Sequence, residues 1–298
     1  MDQIRADQSV LPKEEQYPVS AILQIMHLKK ATYYDERKRL ANKHDKYADV
    51  KRTILRIAKQ GCVRGRWTYG YRRVNHQLRA MGIHLADMTV NKLMAELNVQ
   101  VTLFNRHRNG KYSSYKGQMG KIADNLLNQK FDQIRPYQVL HTDVTQIRLA
   151  NNQWAYISSV NDEASKEVLA FQISSHPNQQ LIINTFKELI TNLPDHVHPI
   201  IHSDQGWHYQ LDYYTQRLTD HHFVQSMSRK GNCLDNAPIE SFFHLFKTEL
   251  LDGFPPCKDL VELKKLSRQY IHYFNYKRIS LKTKGMTPVE YRNHTLAS

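Results

Sequence analysis

Cysteine is scarce in this chain. Three occur in 298 residues, Cys62, Cys233 and Cys257, far apart and with no Cys-x-x-Cys pair. That excludes a disulfide framework and a cysteine zinc centre. Long apolar runs are missing too, and none approaches the roughly 18–20 residues of a membrane span. The opening stretch, MDQIRADQSVLPKEE, holds no apolar segment of the signal-peptide type, so a cytoplasmic protein with no membrane partner is the expectation. Internal repeats and low-complexity tracts are absent.

Acidic residues are short in one half only. Residues 1–130 carry 25 Lys and Arg against 11 Asp and Glu, whereas residues 131–298 carry 17 of each. The whole net charge of +14 therefore lies in the front. A basic front joined to a balanced remainder points to a polyanion-binding part and a second part with another task. A hydrophobic content of 41% and 10% aromatics suit a globular chain rather than a disordered one. Histidine is abundant, but His196, His198, His221 and His222 lack an accompanying cysteine or acidic set. They read as solvated loop residues rather than metal ligands.

Residues 17–60 read as helical. YPVSAILQIMHL puts Val19, Ile22, Leu23 and Met26 on one face, and DVKRTILRIAKQ puts Val50, Ile54, Leu55 and Ile57 on another. Tyr71 to Met81 is expected as a short helix with Val74, Leu78 and Met81 inward, stopped by Gly82. Thr89 is the expected cap of a second helix that buries Val90, Leu93, Met94 and Leu97 and presents Asn91, Lys92 and Glu96. This is the helix-turn-helix pattern, whose second helix can enter a DNA groove. Generic paired helices fit it as well; the basic flanks Arg64, Arg66, Arg72, Arg73 and Arg79 favour DNA. The segment 106–115, RHRNGKYSSY, reads as a linker or a DNA-tracking arm.

From Pro136 the pattern changes. Strands are expected over 137–149, 153–160 and 167–175, a helix over 179–193, a strand over 198–204, a helix over 211–221 and a strand over 222–228. Helices follow over 237–251 and 260–275. That order gives an α/β mixed sheet with helices on its faces.

Three carboxylates stand out in this half. Asp143 lies inside the first strand, where a lone charge is costly without a partner. Asp204 ends the fourth strand, the place where α/β sheets bind ligands. Glu240 lies on the helix after the last strand. Carboxylate oxygens suit Mg²⁺ or Mn²⁺ rather than zinc. Two such ions about 3.5–4 Å apart can activate a water or a 3′-hydroxyl and stabilise the leaving oxygen of a phosphodiester.

Sixty residues separate Asp143 from Asp204 and 35 separate Asp204 from Glu240. With these spacings, HTDVTQI, HSDQGWHY and SRKGNCLDNAPIESFFHLFKTEL resemble the motif blocks of the D-D-35-E transposases and retroviral integrases. The closest resemblance is to the OrfB transposase of the third bacterial insertion-sequence family, and it runs from the helical front to TPVEYR at 287–292. It implies a ribonuclease-H-like core over 135–298, preceded by a helical region over 1–60, a helix-turn-helix region over 61–115 and a linker over 116–134. It further implies metal-dependent cleavage and strand transfer at element ends by Asp143, Asp204 and Glu240, holding two Mg²⁺ or Mn²⁺ ions. The expected partners are transposon-end and target DNA, further copies of the chain on the paired ends, and an upstream OrfA-type DNA-binding segment, fused or separate. The expected setting is the bacterial cytoplasm at the nucleoid. One departure stands out: many relatives carry Pro-His-Ser before the final Thr-Pro-Val-Glu-Tyr, and this chain has YKRISLKTKGMTPVEY instead.

Around the glutamate, Ile239, Phe243, Phe246 and Leu250 share a face that should bury, while Glu240, His244 and Lys247 share an adjoining one. The resemblance gives Lys247 a contact to substrate DNA. Arg229 and Lys230, with Gly231, read as a flexible cationic loop that can reach phosphates. Asn236 can cap the helix or, with Asn232, serve the site. His202 fits either support of the site or strand packing. Trp207 and Tyr209 fit either stacking on a frayed base or, more simply for Tyr209, the core. Two rival functions stay open at this point: a ribonuclease-H-like nuclease that cuts without joining, and a DNA-binding regulator without catalysis.

Overall fold

The computed structural model describes residues 7, 10, 12–13, 16–41, 45–103 and 122–298. The expected arm at 106–115 lies outside them. The chain forms two compact units, Met1–Val50 and Lys51–Ser298.

In the first unit, helices α1 (Val19–Ile25) and α2 (Lys30–Ala41) are short, and Ile22 and Leu23 of α1 are buried. Met26, expected on the same face, is 42% exposed because α1 ends before it. Helix α3 (Ala48–Gln60) leads into the second unit and buries Ile54, Ile57 and Ala58.

A hairpin follows that the sequence reading passed over, β1 (Cys62–Val63) and β2 (Arg66–Trp67). Its turn is Arg64-Gly65, both at positive φ (50° and 79°), the backbone that two-residue hairpins require. The two arginines of this hairpin, read from the sequence as basic flanks of a DNA-binding helix pair, make contacts within the protein. Arg64 donates to the Leu250 carbonyl at 3.0 Å, Arg66 donates to the Asp252 carbonyl, and both guanidinium groups lie over the Phe254 ring. They fasten the hairpin to the C-terminal half. Thr68 Oγ1 is 2.7 Å from the Tyr273 hydroxyl, and Tyr69 donates to the Lys277 carbonyl.

Helices α4 (Tyr71–Ala80) and α5 (Asp87–Glu96) pair through Val74, Leu78, Val90, Leu93 and Met94, all buried. Helix α5 begins two residues before Thr89, with Asp87 in its first turn accepting from Asn75 Nδ2 at 2.5 Å. A carboxylate there favours the helix dipole, so Thr89 is not the cap. Met81, expected inside, is 46% exposed beyond the end of α4.

The C-terminal half is built on a five-stranded sheet: β3 (Val139–Arg148), β4 (Trp154–Asp162), β5 (Val168–Ser174), β6 (Ile200–Ser203) and β7 (Val224–Met227), in the order β5-β4-β3-β6-β7. The first three strands pair antiparallel, and β6 and β7 add in parallel. Helix α6 (Gln179–Asn192) carries the chain from β5 to β6, and α7 (Asp212–Asp220) carries it from β6 to β7, as parallel pairing demands a crossover. The sheet is covered on both faces. Leu140, Val160, Ile201 and Met227 pack with α6 and α7, and Ala155, Ile157 and Ile173 pack with α8 (Ala237–Phe246) and α9 (Leu260–Tyr276). The expected elements are therefore present with ends shifted by a few residues. The last helix, α10 (Pro288–Ala297), was not anticipated, although Thr287-Pro-Val-Glu290 forms a full capping box with proline in the first turn.

Candidate active site

The register of the sheet sets the two aspartates side by side. Strands β3 and β6 run parallel with His141 opposite His202. Two residues on in each strand come Asp143 and Asp204, and side chains two apart share a face. Asp143 sits in mid-strand opposite Ser159 of β4, and Asp204 follows the last residue of β6. The Asp204 carboxylate accepts from the Gly206 amide at 2.9 Å, and the Asp143 carboxylate accepts from the Val144 amide at 2.7 Å. A Cβ on Gly206 would lie 2.9 Å from the Asp204 oxygen and 3.0 Å from His208 Nε2. A side chain there would push the Asp204 carboxylate or the His208 ring aside.

Helix α8 packs on the same face of β3 and brings Glu240 to the aspartates. Ile239, Phe243, Phe246 and Leu250 are buried as expected, joined by Phe242. The backbone widens into one π turn over Lys247–Leu251. Lys247 Nζ donates to Thr145 Oγ1 at 2.6 Å, two residues along β3 from Asp143 and on its face. Thr145 was not singled out in the sequence.

The electrostatics follow from the crowding. Burial, then the charge of Asp204, and also that of Glu240, push the Asp143 carboxyl well above its ordinary pKa, while Lys247 pulls it down. Burial raises Asp204 as well, and burial and Asp204 together raise Glu240. Three carboxyls that resist ionising together form a site short of positive charge. Their oxygen donors fit Mg²⁺ or Mn²⁺. Among the described residues no three acidic, histidine or cysteine side chains close into a metal cage. An open carboxylate set suits a hard cation that completes its shell with water and substrate oxygens.

Asn236 stands at the N-cap of α8 without capping it. Its Nδ2 instead donates to the Thr142 carbonyl at 3.1 Å, and its Oδ1 lies 3.1 Å from His141 Nδ1. His141 Nε2 lies 2.7 Å from Glu163 Oε2, and Glu163 Oε1 accepts from the Gln133 amide at 3.1 Å. All three side chains are buried. This chain of contacts ties the start of the Glu240 helix to the Asp143 strand. Sequence reasoning missed His141 and Glu163; the histidine of HTDVT was the available signal.

His202 is buried, with its ring nitrogens 2.8 Å from Ser226 Oγ and 3.2 Å from Ser228 Oγ, and burial lowers its pKa to about 4. It packs β6 against β7. Tyr209 is core beneath the site: its hydroxyl lies 3.4 Å from Thr142 Oγ1, and burial with the nearby Asp143 and Asp204 charges keeps its proton on. Trp207 starts a short turn, half-buried.

Arg229 departs from the flexible loop expected of it. Its backbone amide, Nε and Nη2 all donate to Asp235 at 2.8–2.9 Å, and Asn125 and Gln129 converge on the same carboxylate. Asp235 is fully buried and draws Arg229 into a fixed pair. Lys230 beside it is exposed. Arg73 also departs from expectation. It is half-buried, donates to the Thr68 carbonyl at 2.9 Å, and is held below its usual pKa by burial. Arg72 is exposed over the Tyr71 ring, and Asn91 and Lys92 stand on α5, where Asn91 accepts from Gln100. These three belong to the helix pair rather than to the carboxylate cluster.

Comparisons with known proteins agree with this division. An integrase core domain family matches residues 133–233, a second one matches 240–296, and an HTH-like domain family matches 46–108. The chain is 40% identical over 281 residues to the putative transposase InsK for insertion sequence element IS150 of Escherichia coli, covering 94% of this chain and 95% of that one. It is 28% identical over 235 residues to the transposase InsF for insertion sequence IS3A of the same species, covering 78% and 80%. Among solved structures it is similar to the HTLV-2 integrase catalytic core domain in complex with magnesium, with a TM-score of 0.41, 15% identity, and 53% and 98% of the two chains covered.

Proposed function

The chain belongs to the insertion-sequence transposases built on an integrase core, and from that premise we propose that Asp143, Asp204 and Glu240 form its catalytic centre. DNA transposition is its function and polynucleotidyl transfer its chemistry. The observation that carries the site assignment is the convergence of three carboxyls, each with a raised pKa, from β3, the end of β6 and α8.

The reaction read from this site has two steps. Water attacks the phosphorus at an element end, and the bond to the 3′ oxygen breaks, releasing a 3′-hydroxyl. That hydroxyl then attacks a target phosphodiester; one phosphorus–oxygen bond forms as another breaks, so no high-energy cofactor is consumed. Mg²⁺ or Mn²⁺, two ions per site, bound to these carboxylates would supply activation of the attacking oxygen and neutralisation of charge on the phosphate. Asp143 is fixed by the strand it sits in and by the Val144 amide, and Glu240 by the packed face of α8. Lys247, on the edge of the site, places a cation where the substrate phosphates enter. Lys230, Arg72, Asn91 and Lys92 extend the reading as DNA contacts. Arg229 and Arg73 are left out because Arg229 is paired with Asp235 at the surface and Arg73 is half-buried beside the Thr68 carbonyl. A homo-oligomer on paired ends and an upstream OrfA-type segment complete the proposed assembly.

The test uses labelled duplexes of the DNA flanking the gene, incubated with Mg²⁺ or Mn²⁺, for the chain alone and joined to its upstream segment. Nicked and joined products are expected. Both should vanish in Glu240→Gln while DNA binding persists. Joining that survives Glu240→Gln overturns the assignment of the third carboxylate; nicking without joining assigns the protein as a nuclease.

A further inference from the structure

Helix α8 has a second working face. Pro238, Ser241, Phe242 and Leu245 recur at the spacing of one helical stripe, away from Glu240, and they line a cavity of about 400 Å³. The opposite wall comes from the β4–β5 turn, the end of α9, the loop that precedes α10, and Arg73 of α4. The volume falls within the range of small-molecule sites, which run from about 300 to 1,000 Å³.

The lining is cationic at one part and apolar at another. Arg73, Lys166 and Lys282 line it. Arg278 lines it too, but its charge is met by Glu249, at 2.7 Å. One carboxylate lines the cavity, Asp162, which already accepts from the Tyr137 amide, the Ser165 amide and the Ser165 hydroxyl. Arg73 donates to the Thr68 carbonyl and Lys166 to the Glu163 carbonyl, contacts that leave their charges in place, so three cations against one carboxylate give the cavity wall a surplus of two positive charges. Burial lowers the pKa of both Lys166 and Arg73; the charge of Lys282 lowers Lys166 further, against the Glu163 and Asp162 carboxylates, and the charge of Arg278 lowers Arg73 further. Phe242 and Phe274, whose ring centres are 5.1 Å apart, make the apolar wall with Leu245.

We propose that this cavity is a nucleotide site, separate from the carboxylate centre, in which Lys166 and Lys282 hold the phosphate and the base lies against Phe242 and Leu245. A phosphate monoester near neutral pH carries roughly two negative charges, which matches the surplus. The ligand is either a free 5′-nucleotide or the terminal nucleotide of a DNA strand. Only the second source rests on the transposase reading; the site itself needs none of the three carboxylates.

The experiment is equilibrium dialysis of labelled 5′-dAMP against the full chain in EDTA, with deoxyadenosine, inorganic phosphate and a 5′-phosphorylated single-stranded oligonucleotide as competitors. Saturable binding is expected, displaced by phosphate and not by deoxyadenosine. Lys282→Glu, at the exposed rim, should weaken it about tenfold or more by reversing one of the charges. Ser241→Trp should abolish it by filling the space, and Glu240→Gln should leave it unchanged. Competition by the oligonucleotide at or below the dAMP concentration assigns the ligand to DNA; its failure to compete assigns the site to free nucleotide. The proposal is overturned by an absence of saturable dAMP binding. It is also overturned by binding that ignores Lys282→Glu, a surface change that keeps the fold, or that is lost in Glu240→Gln.

Discussion

Asn236→Ala isolates the tether between the two halves of the candidate site. Asn236 is 3% exposed and makes two contacts, one to the Thr142 carbonyl and one to His141 Nδ1. Alanine would leave both groups buried without partners, since Thr142 and His141 are themselves inaccessible. Each stranded group costs about 1–3 kcal/mol, so the total is about 2–6 kcal/mol. For a unit of this size, at about 2–4 °C per kcal/mol, that lowers Tm by about 4–24 °C. Because the same contacts hold the first turn of α8 against β3, strand joining should fall further than the loss of folded protein explains. The assay is calorimetric unfolding beside strand joining, at a temperature where the variant is still folded. Asn232→Ala, four residues earlier in the loop, is the control and should stay within about 0.5 kcal/mol of the parent. Asn236→Asp, which retains an acceptor for His141 but turns an oxygen toward the Thr142 carbonyl, should fall between. A Tm for Asn236→Ala within about 2 °C of the parent, with joining intact, would refute the reasoning.

Three further outcomes are expected. In EDTA, the raised pKa of Asp143 means the folded state holds its proton more tightly than the unfolded chain, so the stability it contributes is present at low pH. That contribution is lost as pH rises above the ordinary value of 3.8. Asp143→Asn should flatten the Tm–pH curve and remove the gain on adding Mg²⁺; an unchanged curve, or an unchanged Mg²⁺ gain, counts against the site. Glu249→Gln breaks a buried bidentate pair with Arg278 that also receives the Tyr270 hydroxyl, and should cost about 3–5 kcal/mol in urea unfolding. An unaltered urea midpoint would contradict it. Glu167 is buried, with Arg292 3.0 Å from one oxygen and no partner on the other, and its pKa is raised from 4.5 to about 7. Stability should drop by about 3 kcal/mol between pH 5 and 8, and Glu167→Gln should remove most of that drop in paired denaturation curves.

Much of the site was legible in the linear text because its logic is local. Asp204 was placed at a strand end because PIIHS is a short apolar run stopped by a polar turn. The burying stripe of Ile239, Phe243, Phe246 and Leu250 follows from helical spacing alone, and with it the face that Glu240 and Lys247 share. The separation of a basic front from a balanced remainder came from counting charges. The resemblance of three motif blocks then joined distant aspartates and glutamate into one expectation, which periodicity could not have done.

The tertiary structure decided which cations are available. Arg64, Arg66, Arg73 and Arg229 look alike in the sequence as candidates for phosphate, yet Arg64 and Arg66 bond carbonyls 186 residues away, while Arg73 and Arg229 bond the nearby Thr68 carbonyl and Asp235 carboxylate. The partner of Arg64 lies 186 residues away, and no local pattern encodes that. The same holds for His141, whose contacts to Glu163 and Asn236 exist only once β3, the β4–β5 turn and α8 have packed. Helix and strand periods depend on neighbours a few residues apart, so the sequence by itself determined the elements and their buried faces. Pairing of buried polar groups is set by long-range packing that removes water, and only the fold determined it.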